Sequence, residues 1–189
     1  MPITGIVLAA GQGRRMGTPK ALISDARGSW LTRAVVALRN GGCSPVVVVL
    51  GASSDEAARL VQDAEIVVAD DWHEGMSASL RAGLHACPDD ADAALITLVD
   101  LPDVDHRVVS RVMDAAGAGA RRALVRATFD GTPGHPVVIG RHHWASALDR
   151  ATGDQGARAL FANSPHVRVE CADLATGRDI DTREELERA

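Results

Sequence analysis

From Ile3 to Ala116 the chain alternates unbroken apolar runs, rich in β-branched residues, with amphipathic stretches of helical period, and few folds accommodate that alternation. The runs Ile3–Ala9, Val46–Leu50, Glu65–Ala69 and Ala94–Val99 lack the in-and-out pattern of a strand with one wet face. Each is therefore expected to be a parallel strand covered on both sides. Helices are expected between them, over Trp30–Asn40, Asp55–Gln62, Met76–Ala86 and His106–Ala116. Strand and helix in strict alternation imply right-handed βαβ units and a doubly wound α/β sheet, mostly parallel, with helices on both faces. Ligands bind such sheets beyond the carboxyl ends of the strands, which selects the loops starting at Gly11, Gly51, Asp70 and Asp100.

After Arg121 the pattern is less regular. Short strands are expected at Ala123–Ala127, Pro136–Ile139 and Val167–Cys171, and helices near Arg141–Arg150 and Gln155–Phe161. At 189 residues one domain suffices. Residues 1–120 are expected to form one half of that domain and residues 121–189 a substrate-side half, the latter adding a short antiparallel hairpin or lid to a Rossmann-like sheet.

A net charge of -5 argues against a broad nucleic-acid surface or an anionic-membrane surface. No apolar stretch approaches the roughly 20 residues that span a bilayer. The strand-like run at Ile3 has no basic leader before it, so a cytoplasmic location is expected. Cys43, Cys87 and Cys171 are odd in number and far apart, which fits buried thiols better than a disulfide or zinc framework.

The first strand runs into Leu8-Ala9-Ala10-Gly11-Gln12-Gly13-Arg14-Arg15-Met16-Gly17-Thr18-Pro19-Lys20. Small residues directly after a buried strand let backbone N–H groups approach a phosphate chain, and Leu8, Ala9, Ala10, Gly11, Gly13 and Gly17 are candidates for that cradle. It is not a Walker A loop, because Thr18 and Pro19 separate the last glycine from the lysine and Ala21 follows it. Nor is it a dinucleotide fingerprint: the spacing is GxGxxxG, and the acid expected about 20 residues on is missing. Lys20 is the single lysine in a chain with nineteen arginines. A compact ammonium bridges neighbouring phosphates better than a planar guanidinium, so Lys20 is expected to be catalytic, with Arg15 ahead of Arg14 beside it.

Asp100, in Val99-Asp100-Leu101-Pro102, ends the fourth strand where a bound triphosphate would lie. Mg²⁺ needs only one or two carboxylates besides phosphate and water, and Asp100 is expected to supply one. Asp103 and Asp105 fit the cap of the following helix better. Ser77 and Ser79 open the third helix and either bind the nucleotide there or cap the helix. Asp179 and Asp181 flank Ile180 on one side of an extended segment, just before a Thr182–Glu185 capping box. Asp179 is favoured for the metal and Asp181 for capping. His73, His142 and His143 show no ligand spacing.

The segment LAAGQGRRMGTPK closely resembles the N-terminal signature of the molybdenum cofactor nucleotidyltransferase (MobA-like) family. GMSASLRAG (75–83), DLP (100–102), GHPV (134–137), GDQGAR (153–158) and DIDT (179–182) resemble that family's later motifs, in order and over nearly the whole chain. The resemblance implies a nucleotide-diphospho-sugar transferase-like fold and Mg²⁺-dependent transfer of a nucleoside monophosphate to a phosphorylated pterin-type acceptor. It also implies an acid, Asp70 or Asp71, near the base, a metal site completed from the DIDT segment, and acceptor contacts at His135, to the acceptor's phosphate, and at Asp154. A molybdoenzyme or its chaperone is the implied downstream partner. Alanine at Ala10 is similar to the cytidylyltransferase branch and implies CTP, where guanylyltransferases more often carry glycine.

Overall fold

The computed structural model describes residues 2–188. The elements are β1 (Ile3–Ala9), β2 (Ser24–Asp25), β3 (Gly28–Ser29), α1 (Trp30–Asn40), β4 (Val46–Leu50), α2 (Ser54–Ala58), β5 (Glu65–Val68), α3 (Met76–His85), β6 (Ala93–Leu98), α4 (His106–Ala116), β7 (Leu124–Phe129), β8 (Thr132–Gly140), α5 (Trp144–Arg150), α6 (Arg158–Ala162), β9 (Val167–Glu170) and α7 (Arg183–Arg188). A seven-stranded sheet runs in the order β5-β4-β1-β6-β8-β7-β9, and β2 pairs with β3 apart from it. Within the large sheet only the pairs made by β8 are antiparallel. The chain winds from β1 outward to β4 and β5, then returns to place β6 on the other side of β1. Strand order therefore reverses between β1 and β6, and a crevice opens there at the carboxyl ends.

Alternate residues of each central strand feed opposite cores, so neither face meets water. Val7, Val48 and Leu95 pack with Leu31 and Val35 of α1 and Val109 and Val112 of α4. Ile6, Val49 and Ile96 pack with Leu80 and Leu84 of α3, Trp144 of α5 and Leu160 of α6. This is the geometry the uninterrupted apolar runs require. β5 departs from the expectation: it is an edge strand, and Ile66 and Val68, on the face opposite Val67, stay exposed. α2 is also shorter than expected, since Leu60 and Val61 donate three residues back, to Ala57 and Ala58, tightening the chain out of α-helix. The three cysteines are buried and free, and burial pushes the Cys43 thiol up to about 12. Among the described residues no helix is long and apolar enough to cross a membrane.

The expected hairpin is β7–β8, and it is built into the sheet instead of standing off it as a lid. Asp130 and Gly131 both have positive φ (50° and 75°), as a tight hairpin turn with the sheet's own twist demands. Glu170, at the end of β9, ties that turn down: its carboxylate accepts from Thr128 Oγ1 (2.9 Å) and from the N–H groups of Asp130, Gly131 and Ala172 (3.0 Å each). The N–H donors at Gly131 and Ala172 hold its pKa down to about 2. A depressed folded value means stability that is fully present above the ordinary carboxylate range and lost as pH falls through about 2. Thermal melts between pH 5 and 2 should therefore fall more steeply for the wild type than for Glu170→Gln; parallel curves would contradict the assignment.

Candidate active site

The glycine loop leaves β1 and curls back on itself. Met16 and Gly17 both donate to Gly13 O, at 2.9 and 2.8 Å. Gly13 needs to be glycine on two counts: its φ is +62°, and a Cβ there would stand 1.9 Å from Thr18 O. The backbone N–H groups of Gly11 to Arg15 donate to no acceptor among the described residues, leaving a run of donors at the mouth of the crevice. Pro19 then opens a single 3₁₀ turn, Lys20–Leu22, whose Ala21 is buried; this fixes the backbone beneath the Lys20 side chain.

Lys20 projects into the crevice, where its Nζ donates to Asp100 Oδ2 at 2.6 Å and also bonds Asp181 Oδ1. Arg15 Nη2 lies 2.7 Å from Asp181 Oδ2. Burial alone lowers the Lys20 pKa, but the pull of Asp100 and Asp181 outweighs it and holds the ammonium above its ordinary value. Burial pushes the Asp100 carboxyl up; Lys20 opposes this and Asp179 adds to it. Hydrogen bonding to Lys20 first, with Arg15 assisting, keeps Asp181 below the usual carboxylate range.

These acids are far apart in sequence and are brought together by a C-terminal strap. Asp103 Oδ2 accepts from both the N–H and Oγ1 of Thr176 at 2.6 Å, and Ile180, buried, donates its N–H to Asp100 O at 3.1 Å. Gly177 packs flat on the Phe129 ring, where a Cβ would come within 2.1 Å. Asp103 is thus a clamp on the strap and not a helix cap. Asp105 is the cap of α4, accepting from Arg107 N at 2.9 Å. The capping box before α7 is made by Thr182 and Glu185, so the Asp181 carboxylate, expected to cap, is free to face Lys20.

Asp100, Asp179 and Asp181 each bring one carboxylate oxygen within 4.8 Å of the others. Asp100 Oδ1 is buried with no hydrogen-bond partner. An all-oxygen set with an orphaned buried acceptor fits a hard divalent cation such as Mg²⁺ or Mn²⁺.

The crevice encloses a cavity of about 420 Å³, room for a nucleotide-sized ligand. Of the residues singled out from sequence, Leu8, Ala9, Ala10, Gly11, Gly13, Arg15, Lys20, Ser79, Asp100, Asp154 and Asp181 line it. Gly17 does not: it faces the Arg183 guanidinium, which donates from Nε to Met16 O and braces the loop from behind. Ser77 is buried within α3 away from the cavity, and neither it nor Ser79 caps the helix, since Gly75 (φ 105°) starts it. Asp70 and Asp71 are exposed and do not line the cavity; Trp72 and His73, which follow them, do. His135 stands one strand beyond the cavity wall. Gly51, selected as the start of a ligand loop, instead lies under Trp72, where a Cβ would come within 2.6 Å. Sequence reasoning missed Gln12, Trp72, His73 and Met76 as lining residues. Trp72 was findable, since an aromatic just past a strand's carboxyl end sits where ligands bind.

Residues 5–169 match the MobA-like NTP transferase domain. The chain is 33% identical to the nicotine blue oxidoreductase of Paenarthrobacter nicotinovorans, over 98% of this chain and 95% of that protein. It is 32% identical to the molybdenum cofactor guanylyltransferase of Rhodobacter capsulatus, over 86% of this chain and 76% of that one. Among solved structures it superposes on Rv0371c from Mycobacterium tuberculosis H37Rv with a TM-score of 0.83 and 26% identity, covering 100% of this chain and 97% of that one. A complex of Rv0371c with manganese gives 0.79 at 25% identity, with 100% and 97% covered.

Proposed function

The chain belongs to the family of MobA-like NTP transferase domains, and on that premise we propose that it transfers a nucleoside monophosphate from a nucleoside triphosphate to a phosphorylated pterin-type acceptor. One observation carries the proposal: the chain's single lysine stands between Asp100 and Asp181 beside a loop in which the N–H groups of Gly11 to Arg15 have no acceptor among the described residues. CTP is the favoured donor, on the resemblance of the loop carrying Ala10 to the cytidylyltransferase branch.

The acceptor's phosphate oxygen attacks the α-phosphorus in line. The bond from that phosphorus to the α,β-bridging oxygen breaks, and pyrophosphate leaves with the electron pair. The attacking phosphate is already ionised at neutral pH, so no general base is required, and positioning with charge neutralisation supplies the rate. The N–H groups of Gly11–Arg15 hold the polyphosphate, and Lys20 neutralises charge on it and on departing pyrophosphate. Arg15 stands beside Lys20 on the same side. Asp154, on the cavity wall, and His135, one strand beyond it, are the residues we assign to the acceptor. Asp100 and Asp179, with Asp181 beside them, would hold Mg²⁺, which when bound supplies further positive charge to the phosphate oxygens.

The test is to incubate the protein with Mg²⁺, molybdopterin and each nucleoside triphosphate in turn and measure pyrophosphate. Release with CTP ahead of GTP, abolished by EDTA, is the expected result. The 33% identical oxidoreductase makes a reductase the competing possibility. No pyrophosphate from any nucleotide, together with consumption of a reduced nicotinamide by the same preparation, would decide for it.

A further inference from the structure

Beyond the nucleotide cavity, the face of the sheet that carries α3, α5 and α6 continues across β8, β7 and β9. The Ile96–Val137 pair is the last in the β6–β8 register, and His135 stands two residues from Val137 on β8, the strand next to the cavity-lining end of β6. Next comes Arg126 on β7. Its neighbours Val125 and Ala127 belong to the opposite core, so its side chain lies on this face. Arg126 Nε donates to Gly134 O at 3.2 Å, and its guanidinium lies 5.6 Å from the centre of the Phe161 ring of α6.

Directly across the β7–β9 ladder, Arg126 is paired in register with Arg168. Like charges opposite one another on neighbouring strands destabilise a sheet. Arg158, at the start of α6, adds a third charge: burial, then Arg158 and Arg168, lower the Arg126 pKa. Among the described residues none of the three forms an ion pair with a carboxylate, although many arginines of this acidic chain do. The loop joining Asp154 on the cavity wall to Arg158 connects the two places within four residues.

We propose that Arg126, Arg158 and Arg168 form an anion subsite outside the nucleotide cavity that first captures the acceptor substrate by its phosphate, before that phosphate enters the cavity to attack. Planar guanidinium groups suit phosphate oxygens, and a dianion would turn their mutual repulsion into a shared attraction. The inference rests on the transferase assignment for the source of the phosphate, but the site itself is testable without turnover.

The probe is inorganic phosphate, titrated calorimetrically into the whole protein with and without saturating CTP and Mg²⁺. Arg168 is exposed on an edge strand, so Arg168→Gln spares the contacts that Arg126 makes with Gly134 and Phe161. Arg168→Gln is expected to weaken phosphate binding by about tenfold or more while CTP affinity stays unchanged. The ligand-free melting temperature should hold or rise, since a repulsive pair is removed, and Arg168→Lys should recover part of the phosphate affinity. Phosphate binding unchanged in Arg168→Gln and in Arg158→Gln/Arg168→Gln would overturn the subsite. So would a parallel loss of CTP affinity, which would assign these arginines to the nucleotide. Failure of the transferase assignment looks different: no pyrophosphate release, with the phosphate titration still sensitive to Arg168.

Discussion

Lys20→Ala is expected to lower pyrophosphate release by about 10³-fold, the scale seen when a preorganised electrostatic donor is removed from a transferring group. The change should also be felt without substrate. Lys20 is the counter-charge of Asp100 and Asp181, whose side chains are only 15% and 23% exposed, and Arg15 alone would remain to offset them. Breaking a fully buried pair costs several kcal/mol; in a crevice open to water about 2 kcal/mol is reasonable, a fall of roughly 5 °C in Tm. Added Mg²⁺ should raise the Tm of the variant more than that of the wild type, because the acids then have no competing ammonium. Lys20→Arg separates charge from shape. It should recover stability yet stay at least about tenfold slower, since a planar fork cannot reach two carboxylates and a phosphate as a point charge does. Near-normal turnover in Lys20→Ala would remove the lysine from the mechanism altogether.

Asp100→Asn is the second large effect, and its signature is the opposite one in stability. The substitution keeps the shape of the side chain but removes a charge that burial and Asp179 both disfavour. Lys20 keeps Asp181 as a partner. The Tm measured without metal should therefore hold within a few degrees or rise, while pyrophosphate release falls by about 10²- to 10³-fold. The stabilisation that Mg²⁺ confers on the wild type should largely disappear, because the buried Oδ1 without a partner no longer belongs to an anion. An aspartate kept for structure alone would behave otherwise: its loss would lower the Tm in metal-free buffer and leave the response to Mg²⁺ intact.

Much of the architecture was legible because burial writes itself into composition. β1, β4, α1 and α4 begin and end where the apolar and helical periods do. The errors fall where a neighbour decides. β5 reads like an interior strand yet is an edge strand with one face exposed, and nothing in Glu65–Val68 says that no strand lies beyond it. The capping box at Thr182 was readable from local spacing, whereas the destination of the Asp181 carboxylate was not, since that depends on a lysine 161 residues away. Gly17 and the serines of α3 show the same limit: glycine after a strand and serine at a helix start are legible as residue types, but the direction each faces is set by Arg183 and Gly75.

By itself, then, the sequence determined the layered α/β sheet, the glycine loop, and the residue types that carry charge at strand ends. These follow from hydrophobic period and backbone sterics, which act over a few residues. Only the tertiary structure decided that Asp100, Asp179 and Asp181 meet at one point, and that three arginines gather on the next stretch of the same face. Electrostatic grouping of that kind depends on distances across the sheet and the C-terminal strap, and those distances do not exist until the core has packed.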